Sequence, residues 1–261
     1  MPHFVTVNER LHHYAHHKGA GARAVVFANS LGTDMRIWDQ VCANLPPEIP
    51  TLTYDKSGHG MTQGGAGSIA ALAQDLAALM DQLNLRDALI CGVSVGGQIT
   101  QALAFARPDL VAGLVLCNTG YKIGTADLWA TRIATLKQDG LDAMADGIIE
   151  RWFSADFRRT QPEAVAGYRL MLTRTPQEGY AAVCGAIRDA DLSNGTSQLT
   201  CPALCVAGGD DLATPPDVVE ALAALIPDAQ STCYEGIGHL PCIEAPSRLA
   251  TDIVAHYARL P

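Results

Sequence analysis

Between an apolar stretch, Ala88-Leu89-Ile90-Cys91, and a helix-forming one, Gln98-Ile99-Thr100-Gln101-Ala102-Leu103-Ala104, lies the run Gly92-Val93-Ser94-Val95-Gly96, followed by Gly97. A serine held between glycines at such a junction constrains the chain more than any other feature. The turn is too tight for side chains on either side of the serine, and its strained backbone lifts the hydroxyl clear at the amino end of a helix. With 24 glycines in the chain, the glycines alone say little. The strand before them and the helix after them specify a nucleophile elbow, with Ser94 as the candidate nucleophile.

The surrounding pattern fits that reading. Runs Ala24-Ala28, Thr51-Tyr54, Ala88-Gly92, Gly113-Cys117, Ala203-Ala207 and Gln230-Tyr234 read as buried strands of a mostly parallel sheet, with helices between most of them. The clearest helix is Ile69-Leu83, where Ile69, Leu72, Leu76, Leu79, Met80 and Leu83 recur at helical spacing and Gln74, Asp75, Asp81 and Gln82 supply a polar face. From Asn118 to Asp189 no strand is evident, and Trp129, Ile133, Leu136, Ile148, Trp152, Phe153, Leu170 and Leu172 mark amphipathic helices. The expectation is an α/β fold, a central mostly parallel sheet with helices on both faces. Residues 1–119 and 189–261 form its core, and residues 120–188 form an inserted helical cap.

A serine hydroxyl is a weak nucleophile until a base takes its proton, so a histidine and an orienting carboxylate are required downstream. His239 stands in the Gly-flanked loop Glu235-Gly236-Ile237-Gly238-His239-Leu240-Pro241, after a strand and before the last helix, and is the candidate base. His12, His13, His16 and His17 fall in a polar hairpin ahead of the first sheet strand and read as surface residues; His59 reads as part of a turn. The strand end Val206-Ala207-Gly208-Gly209-Asp210-Asp211 offers two acids. Asp211 is preferred, because the loop turns there toward Pro215, whereas Asp210 is placed to cap or to face solvent. The oxyanion requires two donors: the Val95 amide, next to the nucleophile, and an amide from Asn29-Ser30-Leu31-Gly32-Thr33-Asp34, with Leu31 the best candidate.

Composition removes several classes of partner. Eighteen Lys and Arg against 27 Asp and Glu give a net charge of −9, which repels phosphate backbones and anionic lipid and argues against nucleic-acid or membrane-surface binding. Residues 120–190 hold nine basic and nine acidic residues, so the negative charge sits on the remainder. No segment approaches a membrane span, and Glu9 and Arg10 stand where a secretion signal would be apolar, so the expected location is the cytoplasm. The eight cysteines lack a CxxC pair and several lie in apolar runs, as buried thiols do. No zinc knuckle is expected.

Taken together, the Asn29-Asp34 loop followed by Trp38, the turn Tyr54-Asp55-Lys56-Ser57-Gly58-His59-Gly60, the elbow, the acid loop ending Ala213-Thr214-Pro215-Pro216 and Gly238-His239-Leu240-Pro241 resemble the α/β-hydrolase superfamily, over nearly the whole chain. Within it the chain looks most like the 3-oxoadipate enol-lactonases. In two places it departs from that pattern: Lys56 stands where arginine is usual, and Met61-Thr62 follows Gly60 where serine is common. The resemblance implies an α/β-hydrolase fold and a triad of Ser94, Asp211 and His239. It also implies hydrolysis of a small anionic lactone through an acyl-enzyme, with no cofactor and no metal. A carboxylate on the substrate calls for a cation beneath the cap. Trp129 and Arg132, three apart on one helix, form the candidate pocket pair, and Trp152 a second wall. Another capped hydrolase (carboxylesterase, carbon-carbon bond hydrolase or perhydrolase) and a hydrolase-fold signalling receptor remain the alternatives.

Overall fold

A computed structural model describes residues 2–261. The chain opens with a hairpin, β1 (Pro2–Val7) and β2 (Arg10–His17), then β3 (Val25–Ala28), α1 (Asp39–Asn44), β4 (Thr51–Tyr54), α2 (Ile69–Gln82), β5 (Ala88–Val93), α3 (Val95–Ala106) and β6 (Val111–Cys117). Four longer helical elements follow, α4 (Ala126–Trp152), α5 (Ala155–Thr160), α6 (Pro162–Thr173) and α7 (Gln177–Arg188), and a short α8 (Ser193–Thr196). The alternation resumes with β7 (Ala203–Gly208), α9 (Pro216–Leu225), β8 (Gln230–Tyr234), α10 (Pro241–Glu244) and α11 (Pro246–Tyr257).

All eight strands join one sheet in the order β1-β2-β4-β3-β5-β6-β7-β8. Pairing is parallel from β4 through β8 and antiparallel where β2 meets β1 and β4. The central strands β3, β5, β6 and β7 are buried at every residue, because helices cover both faces: α2 packs on α3, and α1 on α11. The architecture is the α/β-hydrolase fold. None of the described helices is long and apolar enough to cross a membrane.

Five expectations need correction. The histidine hairpin lies within the sheet, as β1 and β2, and strand alternation turns His12 and His13 to opposite faces, both buried; of the four histidines only His17 is exposed and His16 is half-buried. Asp75, assigned to the polar face of α2, is buried beneath that hairpin, where it accepts hydrogen bonds from Asn8, Arg10 and Ser57. β8 is an edge strand whose Gln230 and Ser231 are exposed. Cys233 is likewise exposed, Cys42 and Cys201 are half-buried, and Leu170, placed on an apolar stripe, is 50% exposed.

The helical excursion between β6 and β7 is seated on the sheet by contacts that leave no room for side chains. A Cβ on Gly179, in α7, would lie 2.1 Å from the Gly58 carbonyl oxygen, and one on Gly32 would lie 2.6 Å from the Leu172 side chain. By contrast a Cβ on Gly167, inside α6, meets nothing within 4 Å. Gly179→Ala is therefore expected to destabilise the fold by about 1–3 kcal/mol. Gly167→Ala is expected to be neutral or to stabilise by up to ~1 kcal/mol through helix propensity. Denaturant unfolding of the two variants checks the contrast, and equal effects would contradict it.

Candidate active site

Ser94 joins β5 to α3 with φ 59° and ψ −123°, a backbone that side-chain-bearing residues rarely adopt. Its neighbours explain how the turn closes. A Cβ on Gly92 would stand 2.4 Å from the Gly96 carbonyl oxygen, and one on Gly96 would stand 2.0 Å from that of Ala28. Both positions therefore require glycine. The Ser94 amide donates to the Cys117 carbonyl at 3.0 Å, while its own carbonyl accepts from the Thr119 hydroxyl at 2.6 Å and from the Gly97 amide at 2.9 Å. These bonds tie the turn to the end of β6.

Two other strand ends bring an acid and a base to the same place. After β7, Asp211 is buried and Asp210 exposed. Asp211 Oδ1 accepts from the amides of Ala213 (2.6 Å) and Thr214 (3.1 Å), and Oδ2 accepts from the Thr214 hydroxyl (2.7 Å) and lies 2.8 Å from His239 Nδ1. The carboxylate is thus fixed on all sides, and the imidazole is held with Nε2 free of it. After β8, His239 is anchored through its amide, which donates to the Trp152 carbonyl at 2.9 Å. Asn118, buried with φ 43°, clamps both loops: its Nδ2 donates to the Gly238 carbonyl (2.8 Å) and its Oδ1 accepts from the Gly208 amide (2.7 Å). Glu244 completes the support, accepting from the amides of Gly238 and Ser154 and from the Ser154 hydroxyl, and burial raises its pKa.

The Asn29–Asp34 loop is oriented from beneath by the turn that follows β4. Lys56 is fully buried, and its ammonium donates to the carbonyls of Ser30 and Thr33. Because a peptide is planar and trans, a Ser30 carbonyl drawn toward Lys56 turns the Leu31 N–H the opposite way. The Gly32 amide donates to His59 Nε2 at 3.0 Å, which requires that nitrogen to be unprotonated. Burial, reinforced by Lys56, holds the His59 pKa well below its ordinary value. His59 is therefore more than a turn residue. Neither the Leu31 nor the Val95 amide donates to an acceptor among the described residues; Val95 begins α3, where an amide has no partner within the helix.

Ser94, His239, Leu31, Trp129, Arg132 and Trp152 line one narrow cavity of about 60 Å³, partly open to solvent. Trp129 is fixed by its indole N–H, which donates to the Ile123 carbonyl at 2.7 Å. The Arg132 guanidinium lies 5.4 Å from the Trp129 ring centre and 5.8 Å from that of Tyr180, with no acidic partner among the described residues. The arrangement gathers a hydroxyl, a carboxylate-supported imidazole, two unengaged amides and a cation around one space. Lys56, His59, Asn118 and Thr214 were not singled out from sequence as site residues. Lys56 and His59 carried a faint signal as polar residues in a Gly-rich turn; Asn118 closes an apolar strand and offered none.

Burial, opposed in part by Asp55 and Asp34, pulls the Lys56 pKa from 10.5 down to about 7. Between those values the unfolded chain binds a proton that the folded chain does not, so Lys56 makes stability rise with pH from about 7 toward 10. Measured against Lys56→Met, which cannot titrate, the wild type should gain unfolding free energy as pH is raised from 7 to 9. A difference independent of pH would contradict the burial of this amine.

Known proteins share this plan. Residues 25–252 match the model of the alpha/beta hydrolase family. 3-Oxoadipate enol-lactonase 2 of Acinetobacter baylyi is 34% identical over 203 residues, 77% of this chain and 76% of that protein. The crystal structure of the enol-lactonase from Burkholderia xenovorans LB400 superposes with a TM-score of 0.94 at 33% identity, covering 98% of this chain and 100% of that one. A thermophilic esterase from Thermogutta terrifontis, solved with malate bound, gives 0.90 at 27% identity, covering 99% and 98%. With a family match across most of its length and an enol-lactonase this similar over three quarters of both chains, the chain belongs to the alpha/beta hydrolase family.

Proposed function

We propose that this hydrolase opens a small, negatively charged enol-lactone, 3-oxoadipate enol-lactone, to the open-chain 3-oxo diacid through an acyl-enzyme on Ser94. Residues 120–188 act as a cap over the core formed by 1–119 and 189–261. The observation that carries the reading is the cavity itself, where Ser94 and His239 meet an Arg132 guanidinium that has no acidic partner among the described residues. The similarity to two enol-lactonases supports the substrate class.

In the proposed reaction His239 takes the Ser94 proton as the oxygen attacks the lactone carbonyl, and Asp211 holds the imidazole in the tautomer that can accept it. The oxyanion is bound by the Leu31 and Val95 amides, preset by Lys56 and by the start of α3. Collapse breaks the ring carbon-oxygen bond as His239 returns its proton to the departing oxygen, releasing an enol, a better leaving group than an alcohol, which tautomerises to the ketone. Water, deprotonated by His239, then releases the acyl group and restores Ser94. No step calls for a cofactor. Arg132 pairs with the substrate carboxylate between Trp129 and Tyr180, and Trp152 forms a further wall.

A panel of 3-oxoadipate enol-lactone, p-nitrophenyl acetate and a vinylogous diketone tests the assignment. The lactone should be turned over with a kcat/KM at least about a hundredfold above the simple ester. Comparable values would sink the substrate choice and favour a general esterase, and a burst of one product per chain without steady turnover would favour a receptor. Ser94→Ala should remove turnover and leave the unfolding midpoint unchanged. Arg132→Gln should raise KM for the lactone by roughly ten- to a hundredfold, the loss of a charge-assisted hydrogen bond, with little effect on the neutral ester.

A further inference from the structure

The long helix α4 is interrupted at Gly140, whose φ of 78° divides it into two arms. Leu128, Thr131 and Arg132 of the first arm and Met144, Gly147, Ile148 and Arg151 of the second line a crevice that opens to solvent. Leu128, Arg132, Ile148 and Arg151 also line the cavity of Ser94 and His239, so the two spaces adjoin across these four side chains. The geometry points to this crevice as the route by which a small anion reaches Ser94, with Arg151 as its outer cation, Arg132 as its inner one, and Gly147 keeping the passage clear. The inference rests on the assignment of Ser94 as the nucleophile.

Three observations lead to the crevice. Three other parts of the rim are held in contact: α7 meets the turn after β4 at the Gly179–Gly58 approach, the end of α6 covers Gly32 through Leu172, and the end of α4 is stitched to the His239 loop through Trp152, Ser154 and Glu244. Secondly, Gly147 has no local reason to be glycine. It lies inside a helix without a positive φ, and a Cβ there would meet nothing within 4 Å. Glycine at such a position leaves a helix less stable than alanine would. A larger side chain would stand in the crevice that Gly147 lines. Thirdly, the acids of the second arm are engaged elsewhere, Asp142 and Asp146 by Arg169 and Glu150 by Arg158, whereas Arg132 and Arg151 have no acidic partner among the described residues. The acids of the first arm, Asp127 and Asp139, line neither space. On a chain of net charge −9, an anion is repelled by most of the surface and is drawn to a pair of unneutralised guanidiniums.

The test uses two chromogenic esters, neutral p-nitrophenyl acetate and anionic p-nitrophenyl hydrogen succinate, so it does not depend on the lactone. Gly147→Phe should lower kcat/KM for both by roughly tenfold or more while the unfolding midpoint holds, because the added ring fills open space. Ala143→Phe, exposed on the same arm but outside the crevice, should match the wild type. For the wild type, raising ionic strength from about 0.01 to about 0.5 M should depress kcat/KM for the anionic ester only, and Arg151→Gln should remove most of that dependence. A folded Gly147→Phe that turns over both esters at the wild-type rate, or an Arg151→Gln with unchanged salt dependence, would overturn the proposal and leave the lactone assignment standing. Ester turnover without lactone turnover would do the reverse.

Discussion

Ser94 holds a backbone conformation that costs on the order of 1–3 kcal/mol in a residue with a side chain, and much of the surrounding structure exists to make that conformation the only one available. Gly92 and Gly96 give clearance that no other residue can give. Hydrogen bonds from both sides of the Ser94 peptide reach Cys117 and Thr119 at the end of the neighbouring strand, so the turn cannot relax without breaking the centre of the sheet. Because β5 lies between β3 and β6, the loops leaving those strands are carried to Ser94 by topology. Strand order thereby converts one strained residue into a meeting point for segments far apart in the chain.

A layer of buried polar groups then sets the direction of what arrives. Lys56 and His59 both hold the Asn29–Asp34 loop, one donating to its carbonyls and the other accepting from its Gly32 amide. Asn118 joins the acid loop to the histidine loop. Such groups are costly to bury unless satisfied, and when satisfied they fix geometry more narrowly than apolar packing does. Lysine in place of the arginine implied by resemblance has a consequence of its own: an arginine would stay charged at any accessible pH, whereas burial brings the Lys56 pKa to about 7.

What was legible in the sequence is what local chemistry dictates. The elbow is a six-residue pattern with its strand and helix attached, and the central strands are short apolar runs that admit few other readings. Asp211 was distinguishable from Asp210 by its place in the turn, and the structure puts its carboxylate 2.8 Å from the His239 ring. The misread features depend on partners distant in sequence. His12, His13 and Asp75 look like surface residues until the hairpin joins the sheet edge and covers α2. β8, read as a buried strand, lies at the sheet edge, and the polar Gln230, Ser231 and Thr232 in its own sequence agree with that place. Lys56, His59 and Asn118 act through bonds spanning 23 to 120 residues; the Gly-rich turn gives only a faint sign of the first two, and nothing near Asn118 announces it.

Whether the preset amides and the supported imidazole converge on one reacting atom is decided most directly by a crystal structure of the chain after reaction with an alkyl phosphonate, whose tetrahedral phosphorus mimics the intermediate. The expected adduct has a bond from phosphorus to Ser94 Oγ, a phosphoryl oxygen about 2.7–3.1 Å from the amide nitrogens of both Leu31 and Val95, and His239 Nε2 within hydrogen-bond reach of the serine oxygen. An adduct on another residue, or a phosphoryl oxygen turned away from both amides, would contradict this convergence.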